Sequence, residues 1–544
     1  MRKGEDTMVK VTCLGAAGSV TGSNFLLEDS RGNKILVDCG LFQGGKQIEK
    51  RNDEEWGFDP KEIHSLVLTH AHIDHSGRIP KLVRDGFSGK IITSPPTAEL
   101  CQIMLLDSAH IQEMDAEWQT RKNRRQGKKD VHPLYTMTDA EASLKCLSPL
   151  ERDVITTIEP GIRLRLRNAG HVLGSSIAEL WIEDGGKETK IVFSGDLGNK
   201  NQLIVKDPEE IATANYIFVE STYGNRLHRN FEDSKDELLE AILHAVSHGE
   251  KVIIPAFALE RSQEILYLLG EFYRDGSLPD IPVYLDSPLA IKATEIFRKN
   301  KKYYDEEARV IVQQGFDPFD MPNLHFTSKT EESIAINERP GPAIIISANG
   351  MCTAGRIKHH LKHNLWRPGA SIVIVGFQAA GTTGRKIVDG AESVKIFHED
   401  VAVRAKVFTI GGFSAHADQR GLLEWVSNFA EYRPRVFIVH GEPTSGAILA
   451  GKIGEDFGLE THIPQWKETL LLEPRAMETA AMPEEKIPRD TSHDMMNGIV
   501  DIEKELKSLK KRVKKGLAEG KIGEDDIESL RNIKGKLSSL MPTP

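Results

Sequence analysis

From Met8 onward, short β-rich runs alternate with turn clusters: VKVTCLG, SNFLLED, KILVDCG and SLVLTHA. Such spacing predicts strands of a sheet with loops at their ends. The glycine-rich GAAGSVTGS at 15–23 leads into a strand rather than a helix, which argues against a dinucleotide fingerprint. A helix is predicted from about Thr97 to Arg125, followed by a basic loop. GIRLRLRNAGH, SIAELWIED and KIVFSGDLG then resume the strand pattern.

From residue 225 the pattern changes to helix and strand in alternation, as in FEDSKDELLEAILHAVSHG, KVIIPAF, ERSQEILYLLGEFYRDG and VYLDSP. Fully apolar runs between helices imply a parallel sheet buried on both faces. After Val403 the first style returns with KVFTIGGFSAHAD and RVFIVHGEP, so the second α/β unit, 225–403, reads as inserted between 8–224 and 404–472. Pro474, Pro483 and Pro488 mark 473–492 as a linker. Beyond it, Ile499, Ile502, Leu506, Leu509, Val513 and Leu517 follow a 3-4 spacing that Ile527, Leu530, Ile533, Leu537 and Leu540 repeat. The tail at 493–544 therefore reads as two amphipathic helices. Their narrow stripe suits an oligomer or docking seam, or packing on the chain itself.

Composition changes this picture little. Hydrophobic content of 39% and charged content of 28% are those of an ordinary globular enzyme, and 544 residues allow two or three domains. A net charge of -10 leaves only local basic runs, RKNRRQGKK at 121–129 and KSLKKRVKK at 507–515, to meet a polyanion; a solvated helix face explains either run equally well. Five scattered cysteines without C-x-x-C argue against a disulfide framework and a thiolate zinc site, and Cys13 and Cys39 lie in core-like runs. With no apolar leader and no membrane-length run, a cytoplasmic location is expected.

The chemistry enters with LTHAHIDHSGRIP at 68–80, which sets His70, His72, Asp74 and His75 within six residues behind a strand. By composition alone, H-x-H-x-D-H would arise in roughly one chain in a thousand of this length. A polar turn capping the next helix would need Asp74 but not the three histidines. Clustered His and Asp suit zinc. Further polar groups stand at predicted strand ends: His171 in NAGHVLGSS, Asp196 in VFSGDLG and His440 in VFIVHGEP. Each alone is unremarkable, but together with the loop they point to one shared site.

These motifs resemble the β-CASP group of metallo-β-lactamase-fold nucleases, which includes bacterial RNase J and the endonuclease subunit of the eukaryotic cleavage and polyadenylation specificity factor. The match covers about 8–472. LVDCG resembles the first fold motif, with Asp38 in support; HAHIDH the second; His171 the third; Asp196 the fourth. FVESTYG, GGFSAHAD and VHGE resemble the β-CASP motifs through Glu220, His416 and His440. The resemblance implies an αββα sandwich with an inserted α/β domain. It also implies two zinc ions per chain: one on His70, His72 and His171, the other on Asp74, His75 and His440, with Asp196 bridging. Histidine at the third β-CASP motif favours RNA, so single-stranded RNA is the expected substrate, cut by an endonuclease or a 5′-exonuclease to give 5′-phosphate and 3′-hydroxyl ends.

Asp38 and Glu220 are expected to orient ligands, Asp38 near the His70/His72 loop and Glu220 near His440 or His416, with a helix-capping carboxylate as the less favoured reading of Glu220. His416 completes neither zinc set and is expected to donate a proton to the leaving oxygen or to bind the scissile phosphate. SANGMCTAGR (347–356) and GTTGRKI (381–387) resemble phosphate-side loops, which makes Ser347, Arg356, Arg385 and Lys386 candidate phosphate contacts, though Arg356, Arg385 and Lys386 each read more readily as a surface residue. Two other functions compete. A hydrolase of small esters, thioesters or lactams would need only the first fold, and a non-catalytic scaffold would not need every motif residue intact.

Overall fold

The computed structural model describes residues 8–379 and 381–474. Most of the 473–492 linker and the whole 493–544 tail lie outside them, and so do the two amphipathic helices expected there. Two seven-stranded sheets form the first unit. One runs, in spatial order, Thr469–Leu472, Val9–Cys13, Phe25–Glu28, Lys34–Val37, Ser65–Val67, Lys90–Thr93 and Leu147–Pro149. The other runs Thr461–His462, Arg435–Val439, Tyr216–Glu220, Lys187–Phe193, Ser176–Asp184, Ile162–Asn168 and Thr156–Glu159. Alternation decides which face is inward: Val9, Val11 and Cys13 are buried while Lys10 is exposed, and Ile162–Asn168 shows the same period of two.

The inner faces meet in one core, where Val11, Phe25, Leu27, Ile35 and Val37 pack against Leu164, Leu180, Phe193, Phe218 and Phe437. The Phe193 and Phe218 rings stack at 4.5 Å, and Phe218 and Phe437 at 4.7 Å, beneath the strand ends that carry the candidate residues. Helices Gln419–Ser427 and Pro443–Phe457 cover the outer face of the second sheet. Ile79–Arg84 and Pro95–Arg125 cover the first. This is the expected αββα sandwich. The long helix begins at Pro95 rather than Thr97, because Ser94 caps it by accepting from Thr97 N and two prolines fit its first turn.

The inserted unit holds a six-stranded sheet in the order Leu324–Phe326, Val283–Leu285, Ala343–Ser347, Lys251–Pro255, Ser371–Ile374 and Lys406–Thr409, with every pairing parallel. AIIIS, KVIIP and SIVI are buried along their whole length, as strands covered by helices on both faces must be. One boundary differs from the sequence reading. Lys406–Thr409 pairs with Ser371–Ile374 and so belongs to the inserted sheet rather than to the returning first unit. Its half-exposed alternation is that of an edge strand, which locally resembles the first unit's style.

Candidate metal centre

Strand direction gathers the candidate residues at one edge. Lys34–Val37 and Ser65–Val67 are parallel neighbours, so Asp38 and the His70 loop emerge at the same end. Lys187–Phe193, Tyr216–Glu220 and Arg435–Val439 are also parallel neighbours, which brings Asp196, Glu220 and His440 out together. Asp38 and His440 both take left-handed backbone, φ 58° and 48°, at the turn where each strand ends. Side chains larger than glycine reach this region at a cost, and its use at two candidate residues marks a site where orientation outweighs backbone comfort. Gly40 lets the metal loop pass close by, since a Cβ there would stand 1.6 Å from the Asp74 carbonyl oxygen.

In the loop, His72 rather than Asp74 occupies the cap position of the short helix Ile73–Ser76. His70 Nε2 lies 3.0 Å from His72 Nδ1, and His171 Nε2 lies 3.2 Å from the same atom. Asp196 Oδ2 stands 3.6 Å from both His70 Nε2 and His171 Nε2. On its other side, Asp196 Oδ1 is 3.3 Å from His75 Nε2 and 3.3 Å from His440 Nδ1. His440 Nε2 completes a second group, 3.1 Å from His75 Nε2 and 3.6 Å from Asp74 Oδ2. Donors about 2.0–2.1 Å from one zinc stand about 3.3 Å apart at tetrahedral corners. Both groups fit that spacing, so the donor set is suited to metal.

Electrostatics make the same demand. Burial pushes His70 and His171 well below the usual imidazole range and takes His72 down to about 4, leaving three neutral rings, the form that binds metal. Burial should raise Asp74, but the His440 hydrogen bond and the His75 charge bring it to about 2. Asp196 is likewise held well below the carboxylate range, against its burial, by His440, His75 and His416. His75 shows the complement: burial disfavours its cation, yet Asp196 and Asp38 hold it well above the ordinary range. Carboxylates facing imidazole nitrogens at these distances balance their charge through a protonated ring such as His75 or through a bound cation. The cluster is a set of donors that could hold metal.

Hydroxyls and carboxylates set the ring orientations. Asp38 accepts from Thr69 N at 2.8 Å and from Ser23 Oγ at 3.0 Å, and lies 2.7 Å from His75 Nδ1. Thr69 Oγ1 is 3.2 Å from His70 Nδ1, and Thr222 Oγ1 is 3.2 Å from His440 Nδ1. Glu220 caps no helix; it accepts from Leu197 N at 2.7 Å and lies 3.1 Å from His416 Nδ1. His416 Nε2 is thereby turned toward the cluster, 3.9 Å from Asp196 Oδ2. Burial lowers the basicity of His416, but Glu220 and Asp196 outweigh it and raise the ring to about 9.

The four candidate phosphate contacts do not join this group. Ser347 is fully buried and donates to the Asp286 carbonyl. Arg356 is engaged by Asp286 at 2.7 Å and by the carbonyls of Thr327 and Ser328. Arg385 pairs with Asp389, the residue that caps the end of its helix, and Lys386 is exposed beside it. Thr69, Ser23, Thr222 and Glu260, which accepts from Leu173 N at 3.3 Å just beyond His171, escape sequence reasoning. Hydroxyls near a motif give no sequence signal, and Glu260 reaches the loop from the inserted unit.

A two-sheet sandwich with a His/Asp donor cluster at its edge and an α/β unit inserted is the architecture of a metallo-hydrolase. Three family models match: the metallo-beta-lactamase superfamily over 18–256, the Beta-Casp domain over 262–387 and the Zn-dependent metallo-hydrolase RNA specificity domain over 400–464. Ribonuclease TTHA0252 of Thermus thermophilus is 39% identical over 461 residues, 85% of this chain and 99% of that protein. Transcription termination factor FttA of Methanosarcina mazei is 30% identical over 86% of this chain and 72% of its own length; that of Thermococcus kodakarensis is 33% identical over 84% and 70%. The chain belongs to the β-CASP nucleases of the metallo-β-lactamase superfamily. It is a hydrolytic enzyme, and a small-molecule hydrolase is not favoured.

Proposed function

We propose that the chain is a two-zinc ribonuclease that cuts single-stranded RNA by in-line hydrolysis. The observation that carries this reading is the pair of donor groups at 3.0–3.6 Å joined through Asp196. His70, His72 and His171 would hold one ion, Asp74, His75 and His440 the other, with Asp196 between them. Bound there, zinc would lower the pKa of a water toward neutrality and neutralise charge gathering on the phosphate.

The chain's own groups do the rest. Asp38, Thr69 and Thr222 hold the second nitrogens of His75, His70 and His440, so the donors keep their aim. His416, charged at neutral pH, gives its Nε2 proton to the 3′-oxygen as the P–O3′ bond breaks. Water oxygen takes that place on phosphorus, leaving a 5′-phosphate and a 3′-hydroxyl. RNA is favoured by the RNA specificity match, whose span contains His416 and His440, and by the ribonuclease similarity. Five free cysteines suit a reducing cytoplasm, and no described helix is long and apolar enough to cross a membrane. The 493–544 tail is assigned to self-association or a partner protein, since every candidate ligand precedes it.

Metal-loaded protein should cleave linear labelled RNA and leave nitrocefin and thioesters nearly untouched; the reverse pattern would overturn the assignment. Circular RNA separates the modes, because only an endonuclease opens it. Asp38→Asn should weaken metal affinity by about 10–100-fold, the scale for losing a ligand's orienting partner. Competition with a chromophoric chelator measures it, and wild-type affinity would remove Asp38 from that role.

A further inference from the structure

Arg356 and Arg385 are held by Asp286 and Asp389, so the cation that grips the RNA backbone near the metal cluster must be sought elsewhere. The loop leading from Tyr216–Glu220 to helix Phe231–Ser247 supplies one. Arg226 is exposed, and its guanidinium makes no ion pair among the described residues. Its Cζ lies 4.7 Å over the ring of Tyr223, which stands 6.1 Å from the His416 ring and 4.6 Å from that of His228. A guanidinium resting on an aromatic face keeps its in-plane N–H groups free for a phosphate and its outer face free for a base.

The loop is fixed to the segment that carries His416. His228 Nε2 donates to the His416 carbonyl at 2.9 Å, and His228 N to Asp418 Oδ2 at 3.1 Å. Gln419 N donates to the Arg226 carbonyl at 3.1 Å, and Gln419 Nε2 to that of Gly224 at 2.7 Å. The Arg226 backbone is thus anchored beside the proton donor, while its side chain stays open to solvent in a chain whose net charge of -10 makes such unpaired cations count.

We propose that Arg226, stacked on Tyr223, binds the RNA phosphate one nucleotide 5′ of the scissile one. This rests on the ribonuclease reading: His416 serves the leaving 3′-oxygen, so the strand beyond His416 is the upstream product. Tyr223 and the guanidinium plane together form a stacking surface for that nucleotide's base, a mode indifferent to sequence.

Arg226→Ala should raise KM for single-stranded RNA about tenfold at low salt and make the log–log salt dependence of binding shallower by about 0.7, the increment for one lost phosphate contact. Arg226→Lys, which keeps the charge, should retain the salt slope. In an RNA whose cut site has been mapped, a methylphosphonate one position 5′ of the cut should raise KM for the wild type but add nothing in Arg226→Ala. Zinc content and melting temperature of each variant report folding. Wild-type KM and slope in Arg226→Ala, or a full methylphosphonate effect persisting in it, would overturn the assignment. Failure of the wild type to cut RNA would instead defeat the ribonuclease reading itself.

Discussion

Asp196→Ala is expected to abolish binding of the proposed zinc pair and, with it, nuclease activity. The two oxygens of this buried carboxylate face opposite ways, one toward His70 and His171, the other toward His75 and His440. Removing it takes an anionic donor from both groups at once and sets imidazoles against each other with less charge to balance a dication. Elemental analysis should fall from about two zinc per chain to below one. RNA cleavage should drop by at least about 10³-fold, the scale on which electrostatic stabilisation of a transition state operates. A variant that kept both metals would show that Asp196 does not join the sites.

His416→Ala should behave in the opposite way, keeping its zinc while turnover falls by about 10²–10⁴-fold, the range for a lost general acid. The carboxylate beside it sharpens the test. Burial opposes the charge on His416, but Glu220 and Asp196 bring the ring to about 9. An acid works only while protonated, so activity declines as pH rises through that value. Glu220→Gln removes a charge that raises the pKa, and the alkaline limb of the kcat/KM profile should move to lower pH. An unmoved limb would deny His416 the proton, and zinc loss in His416→Ala would make it a ligand instead.

The candidate site was legible because metal chemistry concentrates unusual residues. His70, His72, Asp74 and His75 crowd one loop, and His171, Asp196 and His440 follow strand-like runs that end in glycine-flanked turns. What supports them was not legible, since Thr69 and Thr222 are ordinary hydroxyls until the fold sets each 3.2 Å from an imidazole nitrogen. Long-range pairing hid the rest. Arg356 looked free until Asp286, seventy positions away in sequence, was placed against it. Lys406–Thr409 carried no mark of which sheet it would join, because its parallel partner Ser371–Ile374 is distant in the chain. Arg226 was overlooked because its meaning lies in its neighbours, Tyr223 below and His416 beyond.

The inserted unit hangs from the metal fold by two strands of chain that cross within a few residues of the same pair. The outgoing crossing begins just past Glu220, and the returning one ends at His416; the Tyr223–Asp418 bridge ties the two together. Glu260 adds a clasp from the inserted unit to the loop behind His171. Any displacement of the inserted unit would therefore be passed to His416 and Glu220 together. The placement of the inserted unit and the aim of the His416 ring are thereby a single mechanical property of the fold.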